Sequence, residues 1–185
     1  MVSPELPAGT AEEHLLGGSF SMTTNRDRRS QIIAAHHEAG HAVGSCYLGI
    51  PIQSLSIAGE GSGDGRYVNP MTFKEIRDLV CWEEVIVIGL LGPLVEGHMF
   101  HKFDRNKCFD DFWNIKRILI TFLPNDPSRR RTVRVKCKRW AKDILNSPGF
   151  LDAVKGIAQE LLRYKQLNGE QVKGIVRKTL PSVKS

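Results

Sequence analysis

Between Gln31 and Gly44 the chain places apolar or small residues on nearly every side of a helical wheel. A helix that is apolar all round is a buried one. Ser30 is a candidate N-cap, and Gly49 followed by Ile50-Pro51 is a stop, so a helix is expected over 30–48. The period then changes. Ile52, Leu55 and Ile57, with Ser54 and Ser56 between them, alternate as a strand from Ile52 to Ala58. Gly59, Gly61, Gly63 and Gly65 make a flexible turn, and Arg66-Tyr67-Val68 returns as a second strand. Thr72-Phe73-Lys74-Glu75 resembles a capping box, opening a helix or helix pair that reaches Phe100 with a kink or break at Gly92-Pro93. Residues 101–109 are a polar connection, and further helices are expected near 110–122, 127–146, 149–165 and 169–179. The class is mainly α (α+β), with a small β-sheet or hairpin after the first helix.

At 185 residues and 41% hydrophobic content the chain can bury one good core. Residues 1–28 show no sustained period and are expected to be a disordered tail, with one domain over 29–180 and a short tail at 181–185. Much of the net charge of +6 lies between Arg129 and Arg139, where Val133, Cys137, Trp140 and Ile144 recur at helical spacing. That pattern is a solvated basic face on a core-packed helix, and without aromatic interleaving it does not point to nucleic acid. The glycine cluster lacks the ending of a phosphate-binding loop. Cys46, Cys81, Cys108 and Cys137 form no CxxC pair, which argues against a cysteine zinc site and a disulfide framework. No secretory signal is visible, and the longest apolar stretch, Val85 to Val95, contains Pro93 and is too short to span a bilayer. A soluble, cytoplasmic protein without a transmembrane segment is expected.

The chemistry is concentrated in His37-Glu38-Ala39-Gly40-His41. On a helix, positions i and i+4 share a face, so both imidazoles can reach one metal while Glu38, one residue on, reaches a water beside it. This is the HExxH arrangement of zinc metallopeptidases. Two histidines and a glutamate inside an apolar helix are costly unless paired or bound to metal. Gly40 and Gly44 weaken the helix, which makes sense where another segment passes close by. Zinc needs a third protein ligand. Spacing leaves open Glu83, Glu84 or Glu96 on a following helix and Asp110 or Asp111 at a later helix start. His98 and His101 are a weaker alternative.

His37-Glu38-Ala39-Gly40-His41-Ala42-Val43 is similar to the HEAGHA signature of FtsH-type peptidases, the protease half of a membrane-bound AAA+ enzyme. A strand and glycine hairpin follow in both. Gly92-Pro93-Leu94-Val95-Glu96 loosely matches the family's GGRLAEE-like segment, and Phe109-Asp110-Asp111-Phe112 falls at its S-N-D-[IL] pattern. The stretch from Ile157 to Leu162, with Leu167-Asn168-Gly169-Glu170-Gln171-Val172, resembles the closing pattern. The likeness covers residues 30–178. It implies a zincin-like helical domain with zinc held by His37, His41 and Asp111, Glu38 as general base, and Glu96 supporting a ligand histidine. The implied activity is a zinc-dependent metalloendopeptidase acting on unfolded or flexible polypeptides, which would add to the edge of the Ile52–Ala58 strand. No ATPase loop or membrane helix accompanies the match, Pro93 interrupts the middle segment, and Gly97 replaces its second glutamate. A separate ATPase or adaptor could deliver substrate, and a homo-oligomer is compatible with the family. The alternative is a catalytically inactive relative that keeps the zinc fold as an interaction or regulatory module.

Overall fold

The computed structural model describes residues 25–57, 65–68, 82–101 and 108–180. Helix α1 (Asn25–Leu48) is the hub, packing on α2 (Trp82–Phe100), on α5 (Phe150–Tyr164) and under the sheet. Ala35, Ala39, Ala42 and Val43 are fully enclosed, as its all-round apolar pattern requires. Ser30 is not its cap. The helix already runs through Asn25 to Arg29, where arginines favour helix and Asp27 lies in the positively polarised first turn.

The antiparallel sheet has the order β2-β1-β3, from β1 (Ser54–Ile57), β2 (Gly65–Val68) and β3 (Gln166–Asn168). Leu55 lies opposite Tyr67 on one side and Leu167 on the other. The expected hairpin is there, but the third strand is an addition. β1 is the central strand, with both edges occupied, so no extended chain can add to it. The glycine turn and the capping-box segment at Thr72–Glu75 fall outside the described residues, apart from Gly65.

Helix α2 runs through Pro93 as one element rather than breaking there. Its buried stripe, including Ile86, Val87, Leu91 and Val95, faces α1 and the core. The crossing with α1 is tight because both helices present glycine. A Cβ on Gly40 would stand 3.0 Å from Leu91 O and 3.2 Å from Gly92 Cα. These are the close approaches that Gly40 and Gly92 permit.

Helix α3 (Phe109–Phe122) packs on α2, as does α4 (Pro127–Leu145). Asp126 caps α4 by accepting from the Arg129 amide at 2.8 Å, with Pro127 in the first turn where its missing N–H costs nothing. Val133, Cys137 and Ile144 of α4 are buried, while Arg129, Arg131, Arg134, Lys138 and Arg139 remain exposed. Helix α6 (Gly169–Thr179) opens with a reciprocal capping box between Asn168 and Gln171, both bonds 2.9 Å. Among the described residues no helix is long and apolar enough to cross a membrane.

The glycines of the two central helices should behave oppositely on substitution. A Cβ on Gly97 meets nothing within 4 Å. Gly97→Ala is expected to stabilise the protein by about 0.5–1 kcal/mol through helix propensity. Gly40→Ala should instead destabilise it by about 1–3 kcal/mol, since backbone must move. Urea unfolding of both variants checks this, and equal shifts would refute the tight crossing.

Candidate metal centre

Three polar side chains meet where α1, α2 and the start of α3 converge. His37 and His41, one turn apart on α1, bring their Nε2 atoms to 3.1 Å. Asp111, in the first turn of α3, reaches both: Oδ2 lies 3.0 Å from His37 Nε2 and Oδ1 lies 3.2 Å from His41 Nε2. One donor atom from each of the three residues lies within 4.8 Å of the others, and both histidines are buried. A tetrahedral ion with bonds of about 2.0–2.1 Å spaces neighbouring N and O ligands about 3.3–3.4 Å apart. The cluster is within a few tenths of an ångström of that spacing.

The outer nitrogens fix how the inner ones are presented. His41 Nδ1 lies 2.8 Å from Ile88 O on α2, and a carbonyl can only accept, so this nitrogen carries the proton. His37 Nδ1 donates to Glu96 Oε2 at 3.2 Å. In their neutral forms both rings therefore aim an Nε2 lone pair at Asp111. Pro93 lacks the N–H that would bond Gly89 O and loosens that turn of α2. The neighbouring carbonyl, Ile88 O, is the one His41 uses.

A third glycine contact makes the space. A Cβ on Gly92 would fall on His41 Nε2, and 2.8 Å from His37 Nε2. Only glycine leaves room on α2 for both rings.

Electrostatics points the same way. Burial opposes charging His37, but its bonds with Asp111, Cys108 and Glu96 outweigh burial and raise its pKa well above the ordinary 6.5. Burial likewise opposes charge on His41, and the Asp111 carboxylate foremost, with Glu38 also contributing, raises it. Burial alone would push Asp111 up. The charge of His41 and the hydrogen bonds from both histidines hold it well below the usual carboxylate range. The cluster thus demands positive charge. A proton on one Nε2 can serve only some of the three contacts, whereas a cation at their centre serves all of them.

Glu38 is buried and near enough to His41 for its charge to be felt there. The other acidic and histidine candidates lie elsewhere. Asp110 is exposed, as are His98 and His101. Glu83, in the first turn of α2, accepts from Lys136 at 2.5 Å, and Glu84 sits beside it in that turn. His36, the remaining histidine of α1, donates to Ile32 O or lies against it at 2.8 Å and stands edge-on to Phe100.

Cys108 was overlooked in the sequence, where cysteines were weighed only by their spacing from one another. Its thiol is buried and donates to Glu96 Oε2 at 3.7 Å, with His37 Nδ1 at 4.0 Å. The available signal was adjacency, three residues before Asp111 and next to the start of α3.

Among the described residues two groupings, His37–His41–Asp111 and His37–Glu96–Cys108, could hold a metal ion. The first, two imidazoles and one carboxylate, suits a borderline divalent ion. No protein-family model matches the chain, and no curated protein matches it significantly.

Because the histidine pKa values are raised in the fold, their stabilising protons are fully held below about pH 6.5 and lost as pH rises through the higher folded values. Asp111 runs the other way, contributing above its ordinary 3.8 and losing that contribution as pH falls through its depressed value. The metal-free protein should therefore lose stability as pH climbs above about 6.5, and binding of a divalent metal ion at pH 7 should release at least one proton per ion. Calorimetry in buffers of different ionisation heat measures that release, and a value of zero would contradict the assignment. Gly92→Ala should weaken zinc binding by about 10-fold or more, as loss of ligand support does. Equilibrium competition with a chromogenic chelator reads the change.

Proposed function

We propose that this chain is a zinc-dependent metalloendopeptidase that cleaves unfolded or flexible polypeptides, in the manner of the FtsH-type peptidases its zinc helix resembles. The observation that carries the reading is the convergence of His37, His41 and Asp111, with Glu38 buried and close enough for its charge to be felt at His41. Two histidines and a carboxylate, with a carboxylate base one residue from the first histidine, is the donor set of peptidase zinc sites.

Each residue has a defined task. His37 and His41 would hold the ion through Nε2, with Asp111 as the third protein ligand. Glu96 and Ile88 O keep the Nδ1 protons in place and so fix the tautomers. Zinc held there would supply Lewis acidity. Glu38 accepts the proton of the attacking water and passes it to the leaving amide nitrogen. Enclosure by α1 and α2 keeps these exchanges out of bulk solvent.

An extended substrate would use backbone pairing, which reads main chain more than side chain. With β1 enclosed, the edges left for this are those of β2 and β3, each paired on one side only among the described residues. The chain would act on segments already unfolded, whether supplied by a separate ATPase, by an adaptor or by chance unfolding. Its working compartment would be the cytoplasm.

Glu38→Gln is expected to bind zinc as the parent does and to lower the rate of casein hydrolysis by about 10²–10⁴-fold. Metal content and hydrolysis measured on the same preparations decide the matter. Equal activity in parent and variant would remove Glu38 from the chemistry. Zinc bound without hydrolysis in either would leave a metal-holding interaction module instead.

A further inference from the structure

The second grouping, His37–Glu96–Cys108, has no task in hydrolysis beyond holding one proton, yet all three residues are buried. We propose that His37 bridges two metal ions, the first at Nε2 with His41 and Asp111, the second at Nδ1 with Glu96 and Cys108. This goes beyond the peptidase reading and stands whether or not the chain cleaves peptides.

Geometry is the first argument. Glu96 Oε2 lies 3.2 Å from His37 Nδ1, and Cys108 Sγ lies 3.7 Å from Glu96 Oε2 and 4.0 Å from His37 Nδ1. Around a tetrahedral ion with a sulfur bond of about 2.3 Å and N or O bonds of about 2.0–2.1 Å, these pairs stand about 3.3 Å and 3.6 Å apart. The oxygen–nitrogen and sulfur–oxygen pairs match within about 0.1 Å. The sulfur–nitrogen pair closes by a few tenths, which a change in the Cys108 side chain supplies.

Donor chemistry is the second. A thiolate beside an imidazole and a carboxylate is a set for zinc, cobalt or cadmium, and it is softer than the first site. Charge is the third. The second ion brings two positive charges and displaces two protons, one from Cys108 and one from His37, so filling the site adds no net charge to the buried cluster. Occupation of the second site sends the thiol proton of Cys108 and the Nδ1 proton of His37 to solvent, so no other reactant is needed.

The test uses the full chain, stripped of metal by chelator, kept reduced and titrated with cobalt(II). Native mass spectrometry counts the ions, and the near-ultraviolet thiolate-to-cobalt charge-transfer band reports sulfur ligation. Two cobalt ions per chain are expected, with the sulfur band. Cys108→Ser should bind one cobalt, lack the band and weaken the second ion at least about 10-fold. Asp111→Asn should keep the band while weakening the first ion, which separates this site from the proposed catalytic one. One cobalt per chain without the sulfur band in the parent protein would overturn the proposal and leave the first site intact. A sulfur band that survives Cys108→Ser would overturn it too. Should Cys108→Ser fail to fold by circular dichroism, the ion count and band of the parent and Asp111→Asn proteins still decide.

Discussion

Helices whose surfaces carry ordinary side chains hold their axes about 8–10 Å apart. Where α1 meets α2, Gly40 and Gly92 face each other with no Cβ on either side, and backbone approaches backbone. The imidazoles of His37 and His41 fill the space that Gly92 leaves open, and the same proximity lets Ile88 O reach His41. Fold and site are therefore one constraint. Two residues that weaken each helix taken alone are what bring the donor atoms to within 3.2 Å of one another.

The energetic sense of the arrangement lies in its unbalanced donors. Several acceptor atoms converge in a poorly hydrated place, and desolvation there costs several kcal/mol per charge unless a cation offsets it. Protons do this partially, which is why both histidines are biased toward their charged forms. A divalent ion does it more completely, because one centre can contact every inner atom at once. Proton and metal compete for the same attraction.

The helices were legible because their signals are local, as in the helical spacing of Val133, Cys137, Trp140 and Ile144 along α4. The i, i+4 histidine pair was equally plain, since helical geometry alone places both rings on one face. Asp111 came from likeness of pattern rather than from spacing, and the structure brings it to the histidines while leaving Asp110 outside. What could not be read depended on long-range pairing. β3 is three residues long with one buried leucine, too short for alternation to show, and it exists because β1 offers it a ladder. Cys108 gains its meaning only when α2 delivers Glu96 to it. The start of α1 was misplaced because a plausible cap, Ser30, sits where charged residues continue the helix without it.

Helix α3 is anchored mainly through α2, and its outer face carries Phe109, Trp113 and Ile120 in contact with solvent. The carboxylate of Asp111 thus arrives on the least firmly moored element of the three that meet at the centre, while the histidines ride on the most deeply embedded one. A change on the solvent-facing side of α3 would therefore reach the centre through its oxygen donor, while both ring nitrogens stay seated in the core.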